Sequence, residues 1–309
     1  MTQSLHPYRI GTRGSPLAIK QTEIVRAQLA AIHSLDLSDF EIVALRTTGD
    51  RILDRPLADA GGKGLFTKEI DEALLSGKVD FAVHSAKDVP TFLTEGMSLA
   101  AYPPRDDPRD VLVSEQLATL ETLPRGAVVG TSSIRRQALV KRLRPDLTIK
   151  LMRGNVETRL NKIAKGEFDA AVLAFAGLKR LGHENRVHVT LDPVTFPPAV
   201  GQGAIAIAVR ANDDRMSRFV AAIDDKPTNI ALSAERAFLA VLDGSCRAPI
   251  AGHARIMDER VHFYGLVISP DGTGAVETTR EGPVGDAERL GADAGTELRA
   301  RAPVGVLDA

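Results

Sequence analysis

Cys246 is the only cysteine in the chain and lies in Asp243-Gly244-Ser245-Cys246-Arg247-Ala248-Pro249, just past a helical stretch that Gly244 should terminate. Positive charge from Arg247 favours the thiolate, which describes a reactive loop thiol. The competing reading is a small inert residue packed in the interior, the usual state of a free cysteine. A second reactive group is Asp88, beside Lys87 in Ser85-Ala86-Lys87-Asp88-Val89-Pro90. A carboxylate there can protonate a leaving amine or stabilise a developing cation, work worth about 10² to 10⁴ in rate for a general acid. An Asp before Val-Pro is also a common turn former.

Four segments combine small or hydroxyl residues with cations. They are Gly11-Thr12-Arg13-Gly14-Ser15-Pro16, the Ser85 segment, Gly130-Thr131-Ser132-Ser133-Ile134-Arg135-Arg136, and Arg153-Gly154-Asn155 with Arg159 a helical turn further on. Backbone N–H groups at helix starts and neighbouring Arg forks bind carboxylate or phosphate. Any one segment alone reads better as a capped helix with solvated arginines; recurrence at four strand ends favours an anion site. Gly61-Gly62-Lys63-Gly64 is not a phosphate loop, because Gly rather than Ser or Thr follows Lys63 and the upstream glycine is missing. His183 and His188 have no thiol or carboxylate partners at ligand spacing, so no metal site is expected.

Short apolar strands alternating with helical patterns predict α/β architecture with largely parallel sheets, which places ligands beyond the carboxyl ends of the strands. The expected strands are Tyr8 to Ile10, Glu41 to Arg46, Phe81 to His84, Val128 to Val129, Leu147 to Leu151, Phe168 to Ala174 and Gln202 to Val209. Ser15 and Pro16 should cap and open the first helix. Phe66, Ile70, Ala73 and Leu74 give helical spacing that ends at Gly77. Gly77-Lys-Val-Asp-Phe-Ala-Val aligns without gaps on Gly166-Glu-Phe-Asp-Ala-Ala-Val, which points to two related lobes. Linkers are expected at Pro103 to Asp110 and at Phe196-Pro197-Pro198. Beyond Asp224 the pattern turns to a helix over Ile230 to Leu242 and strands at Ala251 to Ile256 and Val261 to Ser269. The expected domains are 1–103 with 200–223, 104–199, and 224–309, with a cleft between the first two.

At 309 residues the chain exceeds one ordinary core. Its 39 Lys plus Arg against 40 Asp plus Glu leave a net charge of -1, so no global field attracts nucleic acid or an anionic membrane. Aromatic residues at 4% disfavour a stacking platform for single strands. The longest apolar run, Ala170 to Ala176, falls far short of the roughly 20 residues that span a bilayer. Met1 to Lys20 has no signal-peptide core, and one thiol suits a reducing compartment, so the cytoplasm is expected.

Arg13-Gly-Ser-Pro-Leu-Ala, Gly62-Lys-Gly-Leu-Phe, His84-Ser-Ala-Lys-Asp-Val-Pro, Asp107-Pro-Arg-Asp, Gly130-Thr-Ser-Ser-Ile-Arg-Arg, Arg153-Gly-Asn-Val, Pro198-Ala-Val-Gly-Gln-Gly-Ala and Gly244-Ser-Cys stand in order along nearly the whole chain. Together they resemble the porphobilinogen deaminase family. The resemblance implies two lobes similar to periplasmic binding proteins plus a small α+β C-terminal domain. It implies a dipyrromethane cofactor joined by a thioether to Cys246. It also implies a monomeric transferase of heme and porphyrin biosynthesis that joins four porphobilinogen units with loss of ammonia and releases hydroxymethylbilane. The family's catalytic aspartate matches Asp88. Its contacts to cofactor and substrate match Arg13, Ser15, Lys87, Ser133, Arg135, Arg136, Arg153 and Arg159, and its active-site loop matches the region of Lys63. Asp59 stands where family members commonly have Lys, and Ser245 where Gly is frequent, so Asp59 is given no substrate contact.

Residue chemistry accounts for such a set. Each pyrrole brings an acetate and a propionate, whose repulsion charge-assisted hydrogen bonds of about 1.5 to 3 kcal/mol each can offset. One acid suits the opposite task of facing ring N–H groups and the cation left when ammonia departs, although the substrate's own carboxylates also compete to deliver protons. The alternative function is a non-catalytic two-lobed protein that binds small carboxylated ligands, in which Cys246 has no role.

Overall fold

A computed structural model describes residues 7–51, 64–242, 248–303 and 305–307. The elements run β1 (Tyr8–Arg13), α1 (Pro16–His33), β2 (Phe40–Leu45), α2 (Thr48–Arg51), α3 (Lys68–Leu75), β3 (Phe81–Ser85), β4 (Met97–Ala101), β5 (Asp110–Val113), β6 (Val128–Thr131), α4 (Ile134–Leu143), β7 (Thr148–Leu151), α5 (Val156–Ala164), β8 (Ala170–Ala174), α6 (Phe175–Arg180) and β9 (Val189–Thr190). There follow β10 (Ile205–Arg210), α7 (Asp214–Ala221), α8 (Lys226–Val241), β11 (Ile250–Met257), β12 (Arg260–Ile268), β13 (Ala275–Pro283) and α9 (Ala287–Arg301). The described residues fall into two compact units, one of 7–51, 64–105 and 204–229 and the other of 106–203, 230–242, 248–303 and 305–307.

The first unit holds the sheet β2-β1-β3-β10-β4. β1 pairs parallel with β2 and β3, whereas β10 runs antiparallel to both β3 and β4. The expectation of largely parallel sheets is therefore corrected: a strand arriving from a distant part of the chain inserts in the reverse direction, so each α/β sheet is mixed. Both faces are covered. Val25 and Leu29 of α1 pack with Ile10, Phe81 and Ile207, while Ile70 and Leu74 of α3 pack with Val79, Ala82 and Ala208.

The second unit repeats the plan in the sheet β7-β6-β8-β5-β9. Here β6 is the parallel centre and β5 the inserted antiparallel strand. The short sequence match is structural. Gly77 and Gly166 both take positive φ, 74° and 72°, at the turn before the third strand. Asp80 accepts from Arg9 N at 2.8 Å, and Asp169 from Val128 N at 2.6 Å, so each aspartate ties its strand to the start of the neighbour. The antiparallel sheet β11-β12-β13 is covered by α8 and α9 through Phe238, Phe263, Leu290 and Ala294. Ala251, Leu266 and Ile268 of this sheet share a core with Leu112, Leu139 and Val129.

Candidate functional site

In the first unit the site forms at the carboxyl ends of β1 and β3. Ser15 caps α1, its Oγ accepting from Ala18 N at 3.3 Å, and Pro16 opens the helix as expected. Gly14 N donates to Leu45 O at 3.0 Å, which fixes the turn that follows Arg13. A short 3₁₀ turn, Ala86–Asp88, follows β3 and presents Asp88. Arg13 Nη1 stands 3.5 Å from Asp88 Oδ2, and its Cζ lies 4.0 Å from the Phe66 ring centroid, a cation–π contact. Arg13, Ser15, Lys87 and Asp88 line one pocket together with Gln21, Phe66, His84 and Ser85. Ser85 Oγ donates to Gln21 Oε1 at 3.0 Å. His84 is buried, and burial, helped by the Arg13 charge, lowers its pKa to about 4, so its imidazole is neutral.

In the second unit α4 and α5 begin at the carboxyl ends of β6 and β7. Ser133 caps α4 by accepting from Arg136 N at 3.4 Å, and Asn155 caps α5 by accepting from Thr158 N at 2.8 Å. Arg159 Nε donates to Gly154 O at 2.9 Å and its Nη2 to Ser132 Oγ at 3.3 Å, so it spans both helix starts. Arg153, in the segment that leads into α5, is half-buried.

Arg135 and Arg136 are not solvated arms; they are only 5% and 6% exposed. Both close on Asp110, which is fully buried. Arg135 Nη2 reaches Oδ2 at 2.7 Å, while Arg136 Nε and Nη2 reach Oδ1 at 3.0 and 2.8 Å. Gln202 Nε2 adds a bond to Oδ1 at 2.8 Å. Burial pushes the Asp110 carboxyl up, but Arg135 and Arg136 more than reverse this and hold it at about 2. Burial pushes the Arg135 guanidinium down against the pull of Asp110.

Sequence reasoning gave no site role to Asp110, Gln202, Phe66 and His84, although each stands in one of the family motifs, and did not single out Gln21. The available signal for Asp110 was a charged residue directly abutting the apolar run Val111-Leu112-Val113, which needs buried partners. Cys246 and Lys63 lie outside the described residues.

The family profile "Porphobilinogen deaminase, dipyromethane cofactor binding domain" matches residues 8–218, and "Porphobilinogen deaminase, C-terminal domain" matches 230–300. Curated relatives named porphobilinogen deaminase from Nitrobacter hamburgensis and Nitrobacter winogradskyi are each 59% identical over 293 residues, covering 95% of this chain and 93% of theirs. Similar solved structures include the VFT2 domain of Bordetella pertussis BvgS, 18% identical with a TM-score of 0.41 over 71% of this chain and 85% of that one. An arginine-specific periplasmic binding protein from Salmonella typhimurium is 14% identical with a TM-score of 0.42 over 72% of this chain and 94% of that one. The two profile matches and the relatives' identity along nearly the whole length agree with the motifs, and this chain belongs to the porphobilinogen deaminase family.

Proposed function

We propose that Cys246 anchors the family's dipyrromethane through a thioether and that Asp88 is the acid facing the ring nitrogens. The activity itself is the family's: four porphobilinogen units are condensed in turn, each losing ammonia, and water releases hydroxymethylbilane. The bound dipyrromethane supplies the ring to which the first unit is joined.

The observation that carries the assignment is Asp88 beside Arg13 in one pocket, at 3.5 Å, with Lys87 and Ser15 on its wall. The donor set suits a group that is anionic at its rim and N–H bearing at its centre. Arg13, Lys87 and the Ser15 hydroxyl take carboxylates, and a carboxylate one residue from Lys87 takes ring N–H groups. When ammonia leaves, the positive charge left on the substrate is stabilised by Asp88, which a preorganised site does without solvent reorganisation. Phe66 lies against the Arg13 guanidinium and helps hold it in place beside Asp88. Ser133, Arg135, Arg136, Arg153 and Arg159 are proposed contacts to cofactor and chain carboxylates, and the Lys63 region the active-site loop. We also retain the domain division 1–103 with 200–223, 104–199 and 224–309, a monomer, a cytoplasmic location and no nucleic-acid partner. Among the described residues no helix is long and apolar enough to cross a membrane.

Intact mass and turnover of three proteins test the roles. The wild type should exceed its polypeptide mass by the adduct and Cys246→Ser should not, while Asp88→Asn should keep the adduct and lose about 10² or more in kcat. Bare polypeptide mass in the wild type removes Cys246 from its role, and wild-type ammonia release from Asp88→Asn removes Asp88.

A further inference from the structure

Two guanidinium groups converge on one buried carboxylate in the second unit, and among the described residues no second carboxylate balances them. Arg135, Arg136 and Asp110 together carry one net positive charge inside the protein. Buried ion clusters are a poor way to stabilise a fold, since desolvation offsets most of the attraction. An unmatched buried cation is poorer still. The bonds hold the cluster in one geometry: Arg136 is engaged at Nε, Nη1 and Nη2, and Arg135 Nη1 donates to Pro197 O at 2.6 Å. Arg135 Nε is sealed from solvent with no hydrogen-bond partner among the described residues. The cluster sits in the first turn of α4, whose free N–H groups add positive potential at the same place.

We propose that Asp110 is a positioning residue for the proposed cofactor contacts. It locks the Arg135 and Arg136 planes and reduces their joint charge to one, so that the start of α4 receives a single carboxylate. Gln202 completes the lock by bonding Asp110 Oδ1 and Pro108 O, at 2.8 and 2.7 Å, and by accepting from Arg136 Nη2 at 3.3 Å. The inference rests on the reading that these arginines meet the cofactor.

Asp110→Asn keeps the shape and removes the charge. In full-length protein that melts cooperatively, two quantities should be measured. One is the rate at which apoprotein, made in cells lacking porphobilinogen, acquires the adduct by intact mass when porphobilinogen is supplied. The other is kcat and KM per adduct-bearing molecule. Acquisition and kcat should each fall about tenfold or more, with KM within about twofold, because the cluster acts on the anchored group rather than on the incoming unit. A role confined to stability would lower the melting temperature and leave these rates alone. Wild-type acquisition and kcat in the folded variant overturn the inference. If Asp110→Asn does not fold, Gln202→Met decides: it loosens the lock without changing charge and should slow acquisition about two- to fivefold, and an unchanged rate overturns the inference. Absence of adduct from the wild type removes the cofactor reading and this inference with it, whereas a normally loaded and active Asp110→Asn removes the inference alone.

Discussion

Arg13 and Asp88 stand 3.5 Å apart with 21% and 28% of their side chains exposed, close enough to bias each other and open enough to exchange partners with a ligand. His84, on the same pocket wall, is sealed and neutral. The run Phe81 to His84 reads as a buried strand, but the neutral state of His84 depends on strands that pair with β3 from far along the chain. The consequence is measurable. The unfolded chain protonates His84 near its ordinary value of 6.5, whereas the folded protein refuses the proton until about 4. The unfolded state therefore binds more protons in that window, and stability falls as pH drops from 6.5 to 4 and levels off below it. The total for this one group is about 3 kcal/mol. Chemical denaturation across that range should show the slope, and His84→Gln should flatten it; an identical slope in the variant removes His84 as its source.

Helices α1, α4 and α5 each begin just after a strand with a hydroxyl or amide cap; the Ser15 cap was readable from the Pro16 that follows it, whereas Ser133 and Asn155 stood only within segments read as helix starts. Strand β5 was not readable. Asp110 looks like the end of a charged linker until Arg135 and Arg136, from a helix some way down the chain, are brought against it. The Gln202 segment is similar in kind. Gly203 takes φ 86°, and a Cβ there would lie 2.4 Å from the Asp106 carbonyl oxygen. Asp106 N and Arg180 Nη2 both donate to Gly203 O, at 3.2 and 2.6 Å, so this backbone cannot retreat without losing bonds. Gly203→Ala should lower the melting temperature by roughly 5 to 10 °C, since clash and left-handed strain add to about 2 to 4 kcal/mol. A melt within a degree of wild type would show that the segment relaxes freely.

The molecule as a whole is nearly neutral, with a net charge of -1, so long-range steering of an anionic substrate is weak and its capture depends on local cations, the role proposed for Arg13 and Lys87. Raising salt from roughly 0.05 to 0.5 M should increase KM for porphobilinogen about two- to fivefold, because partly exposed pairs are screened over about a Debye length. A KM that does not move would mean that uncharged contacts dominate. The alternation of strands and helices, the duplicated Gly-x-x-Asp turn, the Ser15 cap and the ordered motifs were readable from residue order, because they depend on neighbours within a few positions. The direction of the inserted strands, the neutral state of His84 and the sharing of Asp110 by two arginines came only with the assembled fold. Each is set by groups distant in sequence whose charges and backbone bonds have meaning only once they are buried together.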